Sequence, residues 1–237
     1  MRKLFVKPDG DTVVLTGDDH KHVAYSLRAR RGDEIVVCSD GTEYTAVITD
    51  ITKDKTVAEI RGAVPSKSEP KHEITLFFGA MKGDRNDFVV QKCTELGVKK
   101  FVPFLSRFSS VTADGIKTDR LNKIALEAAK QSGRGEVPEV ERTTKIEDVI
   151  ERLSGFDKVV FPYENATDGG FEFLSGATGS VAIVVGSEGG FSRDEAEKIK
   201  EKAGGAVTLG ERILRAETAC VAVTAVTAYV LGEWRRQ

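Results

Sequence analysis

Four continuous apolar segments, separated by helical patterns, constrain the fold of this chain most strongly. They read ITLFFGA, KFVPFLS, DKVVFPY and SVAIVVG. Strands that are apolar on both sides are typical of parallel sheets with helices on both faces. One helix is predicted through Asp87 to Leu96, and another, ended by Gly133, has apolar residues at helical spacing. The residues of that second pattern are Leu121, Ile124, Ala125, Ala128 and Ala129. We therefore predict an α/β domain with a site beyond the carboxyl ends of its strands.

The first 64 residues have a different pattern, in which β-branched runs alternate with turn signals. The runs LFV, TVVL, EIVVCS, TEYTAVITDI and TVAEIRGAV predict a small, mostly antiparallel barrel. One helix interrupts it, with Asp18 or Asp19 as the expected N-cap ahead of HKHVAYSLRAR. The polar, proline-bounded segment 65–71 has the composition of a linker. We therefore expect two domains, 1–68 and 72–237.

The composition is that of an ordinary globular protein. Its 35 Lys and Arg balance 37 Asp and Glu, so net charge neither favours nor excludes a nucleic-acid partner. No apolar segment approaches the roughly 20 residues that a membrane span needs. The N-terminus MRKLFVKPDGD also turns polar too early for a signal peptide. We expect a cytoplasmic protein without a membrane partner.

The cysteines and histidines do not predict a metal site. Cys38, Cys93 and Cys220 lie far apart within apolar patterns, without a Cys-x-x-Cys pair or a Cys/His cluster at zinc spacing. His20 and His22 lie two residues apart, but no further ligands of the metal-binding type follow nearby. We expect three reduced core cysteines and no bound metal.

Basic residues form local groups despite the balanced net charge. Arg28, Arg30 and Arg31 follow a helical pattern, and Arg2 and Lys3 open the chain. A second group consists of Lys117, Arg120, Lys123, Lys130 and Arg134. Solvated surface charges are the simplest interpretation of both groups when they are considered alone.

A glycine-rich turn, 187–190, joins the strand SVAIVVG to a helix that begins at FSRDE. Ser192 and Glu195 have capping-box spacing, which specifies the start of this helix. Such a turn often binds phosphate, but the phosphate-binding glycine motifs are missing and Glu188 would repel an anion. Glu188 suits a cationic ligand or a ribose hydroxyl. From the turn alone, a tight connection with Glu188 in water is favoured.

The segment ERILRAETACVAVTAV, 211–226, has the spacing of one continuous helix that only Gly210 interrupts. The apolar and small residues at that spacing are Ile213, Ala216, Cys220, Val223, Thr227 and Val230.

Five segments together resemble a known family. They are MRKLFV with HKHVAYSLRARRGDEIVVCSDG, KGDRNDFVVQKCTELGVKKFVPFLS, ALEAAKQSGR, IVVGSEGGFSRDE and LGERILRAETA. In this order they resemble the knotted SPOUT methyltransferases, and within them the RsmE-type enzymes, which methylate N3 of a uridine in 16S ribosomal RNA. The resemblance covers nearly the whole chain. One difference is that Arg107 directly follows Ser106, where the family pattern has an acid between them.

The resemblance implies a PUA-like RNA-binding barrel followed by an α/β domain with a trefoil knot. It also implies S-adenosylmethionine as methyl donor, a homodimer, and small-subunit ribosomal RNA or the assembled subunit as substrate. The target uridine must be unpaired, because N3 lies on its base-pairing edge. Under this interpretation 210–217 is a cofactor-holding loop, and the last helix runs from near Thr218 to about Trp234.

The same resemblance assigns roles to residues. Arg215 is the first catalytic candidate, because a guanidinium can hold a uracil carbonyl or a phosphate. Glu217 is either the base or the partner that orients Arg215, and a purely structural role at the helix N-terminus is equally open. Cofactor-binding candidates are Tyr163, Glu164, Gly186, Glu188, Gly189, Gly190, Leu209, Gly210, Ile213, Leu214, Thr218 and Ala219. RNA-binding candidates are Arg2, Arg28, Arg30, Arg31, Arg107 and Arg134.

Two other functions remain open at this point. One is a knotted methyltransferase that acts on transfer RNA or on another ribosomal position. The other is a ribosome-assembly factor that binds RNA without catalysis, although the GSEGG and LRAETA segments disfavour a pure binding role.

Overall fold

The computed structural model describes residues 3–235 and divides the chain into two compact units. The first unit comprises Met1–Glu69 and Ala129–Val137, and the second comprises Pro70–Ala128 and Pro138–Gln237. Segment Ala129–Val137 lies inside the range predicted for the second domain, and no composition change in the sequence signals its place in the first unit.

The first unit contains a five-stranded sheet. Its strands are Leu4–Phe5 (β1), Thr12–Thr16 (β2), Glu34–Ser39 (β3), Thr42–Ile51 (β4) and Lys55–Pro65 (β5). They lie in the order β1-β3-β4-β5-β2, antiparallel except for the parallel pair β1 and β3. Alternate residues such as Val13, Leu15 and Val37 point into one buried cluster. The β-branched runs of the sequence therefore predicted these strands correctly.

The helical segment of the first unit differs from the predicted single helix. A short helix, Gly17–Lys21 (α1), continues directly into a π-helix, His22–Ser26. The expected N-cap is wrong, because Thr16 at the extended end of β2 takes that position and makes no side-chain cap hydrogen bond. Asp18 and Asp19 instead lie in the first turn, where acids interact favourably with the helix dipole.

The second unit contains a parallel sheet. Its strands are Glu73–Gly79 (β6), Lys100–Leu105 (β7), Glu139–Val140 (β8), Thr144–Lys145 (β9), Lys158–Val160 (β10) and Ser180–Val185 (β11). The order is β10-β11-β6-β7-β8, with β9 beside β7. Every pair is parallel, as the continuous apolar strands predicted.

Helices alternate with the strands along this part of the chain. They are Arg85–Glu95 (α2), Thr118–Ser132 (α3), Ile146–Arg152 (α4), Arg193–Ala203 (α5) and Ala216–Val230 (α6). Val149 of α4 and Ile199 of α5 pack on the face that presents Phe77 and Val184. Helix α6 packs against β6, β11 and α2. The helix predicted from the helical spacing of apolar residues at 121–129 is α3, and it ends before Gly133, whose φ is +76°.

The three cysteines are free and buried, which confirms the sequence-based prediction. Burial raises the pKa of Cys38 to about 11 and that of Cys93 to about 12. The Thr224 hydroxyl donates to Cys93 Sγ at 3.7 Å. Within residues 3–235, no group of three or more His, Cys, Asp or Glu side chains is placed to hold a metal ion. No helix in this range is both long and apolar enough to cross a membrane.

Two basic residues of the second predicted group, Lys130 and Arg134, are buried in the first unit, and each forms an ion pair with an acidic residue. Arg134 is 3% exposed, and its Nη2 lies 2.8 Å from Glu69 Oε2. Burial by itself raises the pKa of Glu69, but hydrogen bonds from Arg134 and from backbone N–H groups outweigh it and leave the pKa lowered. Lys130 Nζ donates to Asp19 Oδ1 at 2.7 Å. Because its guanidinium lies away from the surface, the predicted RNA contact of Arg134 is wrong.

Replacing Arg134 by alanine leaves Glu69 buried without its cation. We expect the free energy of unfolding to fall by about 3–5 kcal/mol, measured by urea denaturation at neutral pH. Because the folded pKa of Glu69 is lowered, the stabilisation is present above the ordinary pKa of a glutamate and lost as the pH falls through the folded value. Arg30→Ala, at an exposed position, should change stability by less than about 0.5 kcal/mol. A similarly small loss for Arg134→Ala would contradict the structural role.

Candidate functional site

A cleft of about 960 Å³ opens at the carboxyl edge of β6, β10 and β11. Its walls come from three segments, 162–167, 185–191 and 208–219, together with Arg85. The volume is typical of small-molecule sites. The position agrees with the sequence-based expectation for an open parallel sheet.

The turn after β11 forms one wall and depends on close backbone contact. A Cβ at Gly79, at the end of β6, would lie 2.2 Å from the backbone nitrogen of Ser187. Gly190 has φ +66° and donates its N–H to the Ser187 carbonyl at 2.9 Å. These two glycines therefore allow β6 and the turn to meet. The predicted capping box that follows is confirmed, since Ser192 and Glu195 each accept the other's backbone N–H.

Glu188 already has partners within the protein. Its carboxylate accepts the backbone N–H of Lys82 at 3.3 Å and forms an ion pair with Arg85. Burial raises the pKa of Glu188, but hydrogen bonds from backbone groups and from Arg85 leave it lowered. The Glu188 side chain is therefore not simply in water, and Arg85 supplies the cation that the sequence led us to expect from a ligand. The other expected ligand group, a ribose hydroxyl, stays a prediction.

Arg85 lines the cleft and was missing from the sequence-based prediction, as was Ser187. Besides Glu188, its Nε lies 3.7 Å from Glu217 Oε1, so one guanidinium lies between carboxylates of two separate walls. The available signal was its place five residues after the apolar strand ITLFFGA, near a carboxyl end. The two carboxylates, however, lie more than 100 positions further along the chain.

The segment before α6 is a loop, as predicted, but the helix begins earlier than expected. Arg215 is the N-cap, with φ −64° and ψ 151°, and α6 starts at Ala216 rather than near Thr218. The helix ends at Val230 rather than at Trp234. Thr218 is exposed and is not among the residues that line the cleft, although its neighbours Glu217 and Ala219 are, so its place in the cofactor site stays a prediction.

The cleft brings together most of the predicted site residues. The lining residues among them are Tyr163, Glu164, Gly186, Glu188, Gly189, Gly190, Leu209, Gly210, Ile213, Leu214, Arg215, Glu217 and Ala219. Ile213 is 88% exposed, which excludes plain core packing for this residue.

Two buried polar atoms of the cleft lack hydrogen-bond partners among the described residues. They are Ser187 Oγ and Glu217 Oε2. Buried polar groups are normally paired, so both atoms mark places where a ligand could hydrogen-bond. Glu217 pairs with Arg85 and not with Arg215, which takes part in no ion pair within residues 3–235. The structure therefore gives no support to Glu217 as the partner that orients Arg215.

The remaining predicted residues lie elsewhere. Arg107 lines a second cavity of about 450 Å³ and donates its backbone N–H to Glu195 Oε1 at 2.8 Å. Arg28, Arg30 and Arg31 are exposed in the first unit. Arg2 lies outside the described residues.

The sequence matches two families, one over a range that contains most of the second unit and one within the first unit. The family described as RNA methyltransferase domain matches residues 67–228. The family described as RNA methyltransferase PUA domain matches residues 15–61. The parallel sheet with its edge cleft and the small β domain are thus the two parts of an RNA methyltransferase.

Relatives of known name cover nearly the whole chain. The chain is 34% identical to ribosomal RNA small subunit methyltransferase E of Bacillus subtilis, over 93% of this chain and 91% of that protein. The same-named protein of Rickettsia conorii is 29% identical, over 92% and 89%. A crystal structure is known for ribosomal RNA small subunit methyltransferase E of Neisseria gonorrhoeae bound to S-adenosyl methionine, and the sequence of that protein is 30% identical to this chain. The match covers 99% of this chain and 100% of that chain, with a TM-score of 0.87. The chain therefore belongs to the family of the ribosomal RNA small subunit methyltransferases E.

Proposed function

We propose that this protein transfers a methyl group from S-adenosylmethionine to N3 of a specific uridine in 16S ribosomal RNA. The observation that carries the proposal is the cleft, in which a buried carboxylate oxygen of Glu217 has no partner among residues 3–235. The family of the chain and the S-adenosyl methionine bound to the Neisseria relative support the choice of reaction and cofactor.

The residues present fit S-adenosylmethionine. Ser187 Oγ can form a hydrogen bond with the cofactor. The turn 186–190 presents backbone groups to the cleft, and its glycines leave them uncovered by side chains. Leu209, Ile213 and Leu214 give the opposite wall the apolar area that an adenine ring needs. When bound, the cofactor supplies an electrophilic methyl group.

Glu217 is the proposed base. Its Oε1 faces Arg85, which leaves Oε2 to accept the N3–H proton as N3 bonds to the methyl carbon. The bond from that carbon to the sulfur of the bound cofactor would break in the same step, and the cofactor would leave as a neutral thioether. Arg85 holds the carboxylate in place and links it to Glu188 in the turn. The negative charge therefore stays at a defined point of the cleft, where no reorganisation is needed during the reaction.

Arg215 is the proposed electrostatic partner of the uracil. It is exposed at the N-cap of α6 and lines the same cleft as Glu217. Its guanidinium can donate to a uracil carbonyl and stabilise the charge that develops as N3 loses its proton. Since no ion pair within the described chain occupies it, this donor set is available to the substrate.

The substrate, the assembly and the knot complete the proposal. The first unit matches a PUA domain, which supports ribosomal RNA or the assembled subunit as the partner. Val226, Tyr229 and Trp234 are exposed on or just after α6, which supports a homodimer formed through this helix. The family of the chain supports the trefoil knot. A cytoplasmic location follows from the proposed substrate.

Transfer of a radiolabelled methyl group tests the proposed reaction. Small-subunit particles or naked 16S RNA from cells that lack this protein should accept one methyl group at uridine N3, which digestion and mass spectrometry locate. Particles from normal cells should accept none, because their site is already methylated. Methylation of transfer RNA, or no transfer to either substrate from the deficient cells, would contradict the proposal.

Arg215→Ala should abolish methyl transfer and leave cofactor affinity largely intact. Calorimetric titration with S-adenosylmethionine separates the two effects, since the variant keeps the turn 186–190 and the apolar wall. Arg212→Ala, which removes another exposed cleft arginine, is the matched control and should keep most of the turnover. Turnover retained by Arg215→Ala would remove this residue from the mechanism.

Glu217→Gln keeps the shape of the side chain but removes the proton acceptor. We expect kcat to fall by roughly 10²–10⁴-fold, as for other general bases. The loss should shrink as the pH rises, because the uridine then loses its proton to solvent. Glu211→Gln, an exposed glutamate of the same cleft, serves as control. A pH-independent loss in Glu217→Gln would assign the residue a structural role instead.

A further inference from the structure

Arg28 has a backbone conformation that its residue type does not favour. Its φ is +52°, and Asp40, with φ +49°, is the other non-glycine residue with positive φ in the described chain. Asp40 and Gly41 form the two-residue turn between β3 and β4, where such values are normal. Arg28 instead ends the π-helix, a position that proteins usually give to glycine. An arginine kept there at a conformational cost points to a use for its side chain.

Tyr25, three residues earlier, has an exposed aromatic ring that contacts with buried residues hold in place. It is 60% exposed, although its hydroxyl donates to the Lys53 carbonyl at 3.4 Å. Its ring meets the His20 ring edge to face, with centroids 5.7 Å apart. His20 is itself buried and held by Thr56 Oγ1 at 2.8 Å and by the Lys53 carbonyl at 3.1 Å. The ring is therefore fixed in orientation before any ligand arrives.

Exposed basic residues lie close to Tyr25 along the chain, and Lys53 is brought to it by the hydrogen bond from the Tyr25 hydroxyl to the Lys53 carbonyl. Arg28, Arg30, Arg31 and Lys53 are exposed, and none takes part in an ion pair within residues 3–235. The nearby carboxylate of Asp33 is occupied by the backbone N–H of Arg30 at 2.7 Å. We call the following set the Tyr25 patch: Tyr25, Leu27, Arg28, Arg30, Arg31 and Lys53.

We propose that the Tyr25 patch binds an unpaired nucleotide of the RNA substrate, with the base stacked on the Tyr25 ring and the phosphates at Arg28, Arg30 and Arg31. A nucleobase offers a flat face to an exposed aromatic ring, and phosphates match unpaired guanidinium groups. A protein partner could also pack on the Tyr25 ring, but only RNA necessarily brings negative charges, its phosphates, to the three arginines. The π-helix fits this use, because such bulges are frequent at functional sites. The identity of the RNA rests on the proposed function.

Binding of a single-stranded oligoribonucleotide to the full chain, followed by fluorescence anisotropy across a salt series, tests the patch. Tyr25→Ala should weaken binding by roughly 5- to 150-fold, the range for loss of one stacked base, with an unchanged salt slope. Tyr25→Phe should bind like the wild type, because the ring remains. Val64→Ala, which trims another exposed apolar residue of the first unit, should have no effect.

Arg28→Gly gives an independent test of the same patch. The salt slope should fall by roughly 0.7 for each lost phosphate contact. Thermal unfolding should occur at an equal or higher temperature, because glycine prefers this φ. A lower unfolding temperature together with an unchanged salt slope would show that the arginine serves the fold alone.

Three results would overturn the patch. Binding of Tyr25→Ala within twofold of the wild type would exclude stacking, and an equal loss in Tyr25→Phe would assign the effect to the hydroxyl. Weaker association with assembled subunits but not with RNA would assign the patch to a protein contact. If RNA binding depends on Tyr25 but the wild type transfers no methyl group to any ribosomal substrate, the proposed function fails and the patch remains.

Discussion

The ion pairs of Arg85 are the interaction on which the cleft depends. Glu188 and Glu217 come from walls that are distant in sequence, and two carboxylates facing one cleft would repel each other. A guanidinium between them removes this repulsion and fixes the spacing of the walls, since its planar fork can serve two acceptors at once. Arg85 can do so because it is the first residue of α2, which begins after a short connection, 80–84, from the carboxyl end of β6.

The same contact explains why Glu217 has one occupied oxygen and one unpaired oxygen. Oε1 is turned toward Arg85, while Oε2 is buried without a donor in the described chain. An unpaired buried acceptor costs free energy, which a ligand N–H can recover. This difference between the two oxygens is the chemical basis for preferring Glu217 over Glu188, whose carboxylate already accepts a backbone N–H and pairs with Arg85.

Elements with strong periodicity could be predicted from the sequence, because burial on one face or on both faces repeats along the chain. The strands β6 and β11 and the helix α3 follow directly from that pattern. Positions decided by partners far along the chain could not. Arg134 has the same local sequence features as an exposed arginine, and only its packing beside Glu69 makes it structural. Arg85 was missed for the same reason.

At the start of α6, the helical spacing of the sequence favours an earlier helix, whereas the cleft needs the same residues as a loop. Helical spacing continues from Ile213 into α6, and nothing in the side chains of 211–215 forbids a helix. Gly210 at φ +91° and Arg215 in an extended conformation keep this stretch open. If the helix began at Glu211, the residues 211–215 would be wound into a rod and could no longer form a wall. Glu217 would then lie in the interior of the helix rather than in its first turn. The delayed helix start therefore places Arg215 and Glu217 on one cleft, at the cost of a turn of helix that the sequence could otherwise form.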